Sequence, residues 1–149
     1  MIISVGGQNG NWVNVFASST SITNFVNSVK QILDDYQLDG VDLDIENYNA
    51  TPLTVANAII QLKEAIRPKI IVVSPEDVAV YQGTAVPDQN TAGQAFNYFV
   101  PIINLADSHI DFYQPQAYNN WYEEAGGSLK YLQDVYLNWR NFKGTGQWD

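Results

Sequence analysis

The sequence has 149 residues, which is enough for one globular domain that buries its own hydrophobic core. It carries 7 Lys and Arg against 16 Asp and Glu, a net charge of −9, which argues against nucleic acid and anionic membranes as partners because both require a basic protein surface. The absence of Cys and the single His exclude disulfides, a Cys nucleophile and a metal site built from Cys or several His.

No apolar run reaches the roughly 18 residues of a membrane-spanning helix, and residues 1–7 lack the basic region and the length of a signal peptide. Short β-rich runs alternate with helical patterns, which is typical of βαβ units and a parallel sheet. The apolar run at 2–5 predicts the first strand. The apolar spacing over 22–36, with capping residues at 18–21, predicts a helix.

The same alternation continues through the rest of the chain. A strict apolar and acidic alternation at 41–46 predicts the second strand. Thr51 and Pro52 predict the start of a helix that ends before Pro68, and the β-branched run at 70–74 predicts a buried third strand. The remaining predicted elements are a helix over 92–106 that Pro101 kinks or splits, a fourth strand over 110–114 and a last helix over 128–142.

Four βα units in 149 residues average about 37 residues each, so eight would need roughly 300, within the range of eight-stranded βα barrels. A doubly wound sheet of four strands is the structural alternative. Its usual glycine-rich turn, GxGxxG, is missing, because the glycines at 6, 7 and 10 have a different spacing.

The second predicted strand carries three carboxylates on one face. Its alternation places Asp42, Asp44 and Glu46 opposite three aliphatic side chains, with no Lys or Arg beside them. Crowding of this kind raises the pKa of at least one carboxyl, as a general acid near neutral pH requires. Two other interpretations remain open: a solvated edge strand that is acidic to prevent aggregation, and a Ca²⁺ or Mg²⁺ site without EF-hand spacing.

Residues 39–46, DGVDLDIE, resemble the DGxDxDxE signature of glycoside hydrolase family 18, which includes chitinases and endo-N-acetylglucosaminidases. Residues 4–7 are similar to its SxGG segment, residues 116–119 to its QxYN segment and residues 74–76 to an (A/S)PE element of some members. The resemblance covers essentially the whole chain. It implies an α/β fold of the (β/α)8 TIM-barrel type, here a partial barrel of about four parallel βα units. Residues 1–149 would form the third to sixth units of one catalytic domain, with no second domain.

The resemblance also implies a retaining, substrate-assisted hydrolysis of β-1,4-linked N-acetylglucosamine, without metal or cofactor. The acetamido oxygen of the sugar would be the nucleophile and Glu46 the general acid and base. Asp44 would hold the acetamido N–H, Asp42 would share a proton with Asp44, and the hydroxyl of Tyr118 would hold the acetamido oxygen. The implied substrate-binding residues are Gly6, Gly7, Glu76, Gln116, Asn119 and Trp121.

The implied partners are chitin or N-acetylglucosamine oligosaccharides, with no nucleic acid and no membrane. A polymeric substrate implies an extracellular, secreted protein. A non-catalytic chitin-binding lectin is one alternative, although it would usually lack the acid at Glu46, and an endo-β-N-acetylglucosaminidase acting on N-glycans is another. The open edges of a partial barrel predict self-association, and we expect the isolated 149 residues to hydrolyse chitin oligosaccharides poorly.

Several residues outside the main motifs need separate interpretation. Trp139 has the spacing of a core residue, and His109 precedes the fourth strand, where a surface or capping role is expected. Four aromatic residues fall in predicted loops after strands, where they would stack on sugar rings or pack inside: Trp12, Tyr81, Trp121 and Tyr122. Glu123 and Glu124 are expected to be a solvated pair.

Overall fold

A computed structural model of the chain describes residues 1–80, 86–118 and 129–143. The predicted alternation of strands and helices gives one four-stranded sheet whose order in space, β1-β2-β3-β4, is also the order in the chain. All neighbouring strands are parallel, as predicted. The strands are β1 (Ile2–Gly6), β2 (Gly40–Asp44), β3 (Ile70–Val73) and β4 (Phe112–Tyr113).

Five α-helices connect or follow these strands in the described residues. They are α1 (Trp12–Val15), α2 (Ser19–Asp35), α3 (Pro52–Ile66), α4 (Phe99–Ala106) and α5 (Leu129–Lys143). Short 3-10 turns occupy Asp77–Val80 and Asp107–His109. Within the described ranges, none of these helices combines the length and the apolar character needed to cross a membrane.

The two long helices in the first half begin where the sequence predicts. The Ser18 side chain accepts a hydrogen bond from the N–H of Ser21, and the Thr51 side chain accepts one from the N–H of Thr54. Pro52 is the first residue of α3, where its missing N–H costs no helical hydrogen bond. Local capping chemistry therefore fixes both starts.

Three predicted elements differ from the structure. The helix predicted over 92–106 begins only at Phe99, so Pro101 lies in its first turn, where N–H groups have no helical partner, and does not kink it. β4 is two residues long instead of five, although backbone hydrogen bonds to β3 continue on both sides of it. The loop after β1 contains α1, which its polar sequence did not predict.

The hydrophobic core lies between one face of the sheet and the helices. Val41, Leu43 and Ile45 point into it and are at most 2% exposed. The opposite face of the sheet carries Asp42 and the residues paired with it. Ile2 in β1 and Phe112 in β4, the two outer strands, are exposed. The core thus orients β2 and directs its acidic side chains to the other face.

Candidate active site

The three acidic residues of the second strand lie at its carboxyl end on the face away from the core. Asp42 and Asp44 are in β2, Glu46 follows it, and all three side chains are half-buried. The aliphatic residues between them are fully buried. The alternation predicted from the sequence is therefore confirmed. Because β2 is an inner strand, the interpretation of these acids as the solvated face of an edge strand is wrong.

Asp42 is held by hydroxyl groups from both neighbouring strands. Ser4 Oγ of β1 donates to Asp42 Oδ2 at 2.7 Å, and Ser74 Oγ, directly after β3, donates to Asp42 Oδ1 at 2.7 Å. Ser4 pairs with Asp42 in the parallel register, which places their side chains on one face. Both oxygens accept a hydrogen bond, which fixes the orientation of the Asp42 carboxyl group.

Gln116 joins the other two carboxylates of the strand. Its Nε2 donates to Asp44 Oδ1 at 2.8 Å and to Glu46 Oε1 at 3.1 Å, and it also lies 3.1 Å from the carbonyl oxygen of Ser74. Gln116 is buried and reaches this position because its backbone forms a parallel bridge with Glu76. One amide thus fixes Asp44 and Glu46 next to each other.

The pKa of Asp44 is raised to about 6, above the usual value for a carboxyl. Burial is the largest cause, followed by the charges of Glu46 and Asp42, a hydrogen bond with Glu46 and the charge of Glu76. The crowding that the sequence predicts therefore contributes to the raised pKa of Asp44, after burial. The hydrogen bond with Glu46 favours the protonated form of Asp44. The proton sharing between Asp42 and Asp44 that the resemblance implies stays a prediction.

The carbonyl oxygen of Asp44 is fixed from the β1 side. The N–H of Gly7 donates to it at 2.9 Å and Trp12 Nε1 donates at 3.0 Å. Gly6 has a φ of 121°, and a Cβ there would lie 2.1 Å from the Asp44 oxygen. At Gly7, with a φ of 86°, a Cβ would lie 3.7 Å from Asp44 Oδ2. The structure therefore explains why glycine is favoured at both positions. The contact of these glycines with a sugar stays a prediction.

Trp12 is not available for stacking on a sugar. It is 2% exposed, and its ring stacks on that of Phe16 at 5.5 Å between centroids. The interpretation of Trp12 as an exposed sugar platform is wrong, because α1 folds it beneath Gly6 and Gly10. Its indole N–H instead supports the end of the acidic strand.

Two tyrosines lie against the acidic cluster. Tyr118 is 58% exposed, and burial followed by the charges of Asp44, Glu46 and Asp42 raises its pKa. Tyr48 Oη donates to Glu76 Oε2. The role of the Tyr118 hydroxyl in holding the acetamido oxygen stays a prediction.

The structure separates the remaining candidates. Trp139 is 2% exposed and packs its ring 5.5 Å from that of Tyr113, which confirms a core role. His109 lies at the amino end of the sheet, with Nε2 3.4 Å from Glu64 Oε1, as expected for a surface residue. Six predicted residues lie outside the described residues: Tyr81, Asn119, Trp121, Tyr122, Glu123 and Glu124.

Three residues that the sequence analysis did not single out contact the acidic side chains. Ser4 and Ser74 donate to Asp42, and Tyr48 donates to Glu76. For Ser4 the available signal was its strand position in register with Asp42, whereas on the β3 side Asp42 pairs with Val72 and Ser74 lies two residues further along. No local pattern marks Tyr48, whose partner is 28 residues away. In the ranges 1–80, 86–118 and 129–143, no group of three or more His, Asp and Glu side chains is arranged to hold a metal ion.

With this geometry in view, comparison with known proteins identifies the class. Residues 1–144 match the family described as glycosyl hydrolases family 18, and the chain belongs to that family. It is 32% identical over 138 residues to "Chitinase ChiA" of Flavobacterium johnsoniae, covering 80% of this chain and 8% of that protein. It is 34% identical over 88 residues to "Chitinase 1" of Tulipa saxatilis subsp. bakeri, covering 54% of this chain and 28% of that protein.

Solved structures show the same fold. A GH18 chitinase from Pseudoalteromonas aurantia superposes with a TM-score of 0.68 and 23% identity, covering 93% of this chain and 49% of that one. A fungal endo-β-N-acetylglucosaminidase of the same family superposes with a TM-score of 0.65 and 18% identity, covering 91% and 46%. The predicted family and the partial (β/α)8 TIM-type fold are confirmed. The chain spans less than half the length of each of these relatives.

Proposed function

We propose that residues 1–149 form the third to sixth βα units of a family 18 catalytic domain, and that this domain hydrolyses β-1,4 linkages between N-acetylglucosamine units of chitin. The observation that carries the proposal is the contact of the Gln116 amide with both Asp44 and Glu46 at the end of an inner strand, where the pKa of Asp44 is about 6. Such a pair retains a proton close to neutral pH, which acid catalysis of glycoside cleavage requires.

In the first step, Glu46 donates its proton to the glycosidic oxygen as the bond from that oxygen to the anomeric carbon breaks. The acetamido carbonyl oxygen of the same sugar forms a bond to the anomeric carbon on the opposite face, which gives an oxazolinium ion. The leaving sugar departs with the proton. Glu46 receives that proton through its hydrogen bond with Asp44, whose raised pKa keeps Asp44 protonated up to about pH 6.

Asp44 and Tyr118 would orient the acetamido group during this step. Asp44 accepts the acetamido N–H, and its negative charge stabilises the oxazolinium cation. The exposed Tyr118 hydroxyl would donate to the acetamido oxygen and hold it beneath the anomeric carbon. Asp42, held in place by Ser4 and Ser74, would share a proton with Asp44.

In the second step, water attacks the anomeric carbon and Glu46, now a carboxylate, takes its proton. The bond from the acetamido oxygen to the anomeric carbon breaks, and the sugar is released with its original β configuration. Glu46 is protonated again. Gly6, Gly7, Glu76, Gln116, Asn119 and Trp121 are proposed to line the sugar subsites.

Chitin is proposed as the substrate because the two proteins with related sequences are named chitinases. The structural relative named as an endo-β-N-acetylglucosaminidase supports N-glycans as the second candidate, since the same pair of acids serves both substrates. A non-catalytic lectin is disfavoured because the acid at Glu46 is retained and held by Gln116. An extracellular location is proposed from the polymeric substrate alone.

The proposal is tested with Glu46→Gln in the complete catalytic domain. We expect hydrolysis of N-acetylglucosamine oligomers to fall by about 10²- to 10⁴-fold, because an amide cannot donate the proton. Glu64→Gln is the matched control, since Glu64 is exposed and pairs with Arg67 far from the cluster. An unchanged rate in Glu46→Gln would contradict the proposal, as would initial products of inverted configuration. Parallel assays with N-glycopeptides separate the two substrate candidates.

The partial barrel provides a second test. We expect the isolated 149-residue chain to turn over chitotriose poorly or not at all and to self-associate, because the open edges at β1 and β4 expose Ile2 and Phe112. Size-exclusion chromatography with light scattering measures the association. Rapid turnover by a strictly monomeric chain of this length would contradict this expectation.

A further inference from the structure

Tyr48 forms a contact for which the proposed reaction assigns no role. It lies two residues after Glu46, and its hydroxyl donates to Oε2 of Glu76, directly beyond β3. Burial and the hydrogen bond to Glu76 raise the pKa of Tyr48, so the phenol stays protonated and acts only as a donor. The contact joins the segment after β2 to the segment after β3.

Tyr48 is itself firmly placed by a second tyrosine. Its ring meets that of Tyr98 edge to face at 4.8 Å between centroids, and Tyr98 is fully buried. Tyr98 Oη donates to the carbonyl oxygen of Ala50 at 2.7 Å, which ties the segment after Glu46 to the core. The N–H of Gly93 donates to the carbonyl oxygen of Tyr48. The phenol that holds Glu76 therefore has little freedom to move.

We propose that Tyr48 is a positioning residue that fixes the Glu76 carboxylate beside the Asp44–Glu46 pair. The inference rests on the proposed function, which makes that pair the proton donor. The backbone bridge between Glu76 and Gln116 fixes the position of Glu76 along the strand, and Tyr48 fixes the direction of its side chain. Glu76 thus acts on the reaction through the pair and needs no contact with the leaving group.

The consequence of this placement is electrostatic. The charge of Glu76 is one of the causes that raise the pKa of Asp44. The other titratable groups that face the pair are Asp42 in β2, Tyr118 after β4 and Tyr48 itself. Within the described residues no Lys or Arg forms an ion pair with these carboxylates. A fixed Glu76 therefore adds repulsion that no ion pair with Lys or Arg in the described ranges offsets, and Asp44 keeps its proton to higher pH.

Tyr48→Phe tests the proposal because it removes the hydroxyl and keeps the ring. We expect Glu76 to turn toward solvent and the apparent pKa of Asp44, followed by ¹³C NMR of its carboxyl carbon, to fall by about 0.5 to 1 unit. Glu76→Gln should give a fall of similar size. The double variant should show no further fall, since both changes remove one interaction.

Tyr98→Phe is the matched control. It removes a buried hydroxyl from the same segment but leaves the contact between Tyr48 and Glu76 in place. We expect it to lower the melting temperature and to leave the apparent pKa of Asp44 unchanged. An equal pKa shift in Tyr98→Phe, or additive shifts in Tyr48→Phe and Glu76→Gln, would overturn the proposal.

The NMR titration needs no substrate, so it separates this proposal from the proposed function. If Glu46→Gln retains full activity, the proposed function fails whatever the titration shows. If Glu46→Gln is inactive and Tyr48→Phe leaves the pKa of Asp44 unchanged, only the role of Tyr48 fails. If the proposed function and the role of Tyr48 are both correct, the alkaline limb of the pH profile of kcat/KM moves to lower pH in Tyr48→Phe. In the same variant kcat falls more than KM changes.

Discussion

Acidic residues occur at both ends of this sheet, and the two ends hold them differently. At the amino end, the N-terminus donates to Asp39, Lys30 to Asp34, and Lys63 to Asp111 at 2.6 Å. Hydrogen bonds from these cations lower the pKa of Asp34 and of Asp39. At the carboxyl end, Asp44 has hydrogen bonds from an amide and a neighbouring acid, and its pKa is raised to about 6.

The difference separates stabilising acids from acids suited to catalysis. A carboxylate with a cation partner releases its proton readily and stabilises the folded state above its pKa. A crowded carboxylate without a cation keeps its proton and destabilises the folded state once it ionises. In β2, Asp44 is of the second kind, and the Gln116 amide holds it in place without neutralising its charge.

The largest expected effect comes from breaking the pair at the amino end. Lys63 is 7% exposed and donates both to Asp111 and to the carbonyl oxygen of Lys69. Lys63→Met leaves Asp111 without its cation, and we expect the free energy of unfolding to fall by about 3 kcal/mol in urea titrations.

Lys30→Met is the control for that prediction, because the pair of Lys30 with Asp34 is exposed and screened by water. We expect a much smaller loss of stability. Equal losses of unfolding free energy in Lys63→Met and Lys30→Met would mean that burial of the lysine does not make its ion pair more stabilising.

The next effect concerns the close approach of β1 to Asp44. Gly6→Ala places a Cβ 2.1 Å from the Asp44 carbonyl oxygen, so we expect it to lower the free energy of unfolding by about 2 kcal/mol more than Gly93→Ala. Gly93 has a similar positive φ of 80° but no atom within 4 Å of an added Cβ. Chemical denaturation measures both. A similar loss in both variants would show that backbone conformation, and not the contact with Asp44, requires Gly6.

A smaller effect is expected from Asp44→Asn, and it depends on pH. The pKa of Asp44 is about 6 in the folded state and near 4 in the unfolded chain, so the parent loses stability as the pH rises between these values. Asp44→Asn removes this loss and should raise the melting temperature above pH 6 more than at pH 4. A gain that is the same at every pH would contradict the raised pKa.

The smallest effect is predicted for Asp39→Asn, with the opposite sign. The N-terminus lowers the pKa of Asp39, so its contribution is present above pH 4 and disappears as the pH falls. The pair is exposed, and we expect only a slight fall in melting temperature near pH 6, measured beside Asp44→Asn. A slight rise in the melting temperature of Asp39→Asn would contradict the difference between the acids at the amino and carboxyl ends of the sheet.

The parts that followed from the sequence are those set by local patterns. The period of two in β2 placed its acids on one face, and Ser18 and Thr51 marked the starts of α2 and α3 because capping needs only neighbouring residues. The family motifs led to the same acidic strand. The apolar spacing within α2, of 17 residues, and within α3, of 15 residues, was enough to recognise both helices.

The parts that did not follow depend on contacts between distant residues. Trp12 reads as a loop aromatic until α1 folds it against the carbonyl oxygen of Asp44, 32 residues away. The contact of Tyr48 with Glu76 spans 28 residues, and the apolar spacing over 92–106 did not predict that α4 begins only at Phe99. Such contacts carry no local signature.

The most direct test of the account is an NMR titration of the Asp44 carboxyl in the unsubstituted protein, with Asp39 followed in the same spectra. The account predicts an apparent pKa near 6 for Asp44 and a value below the ordinary 3.8 for Asp39. An apparent pKa near 4 for Asp44 would mean that the acidic face holds no proton near neutral pH, and would contradict the central claim.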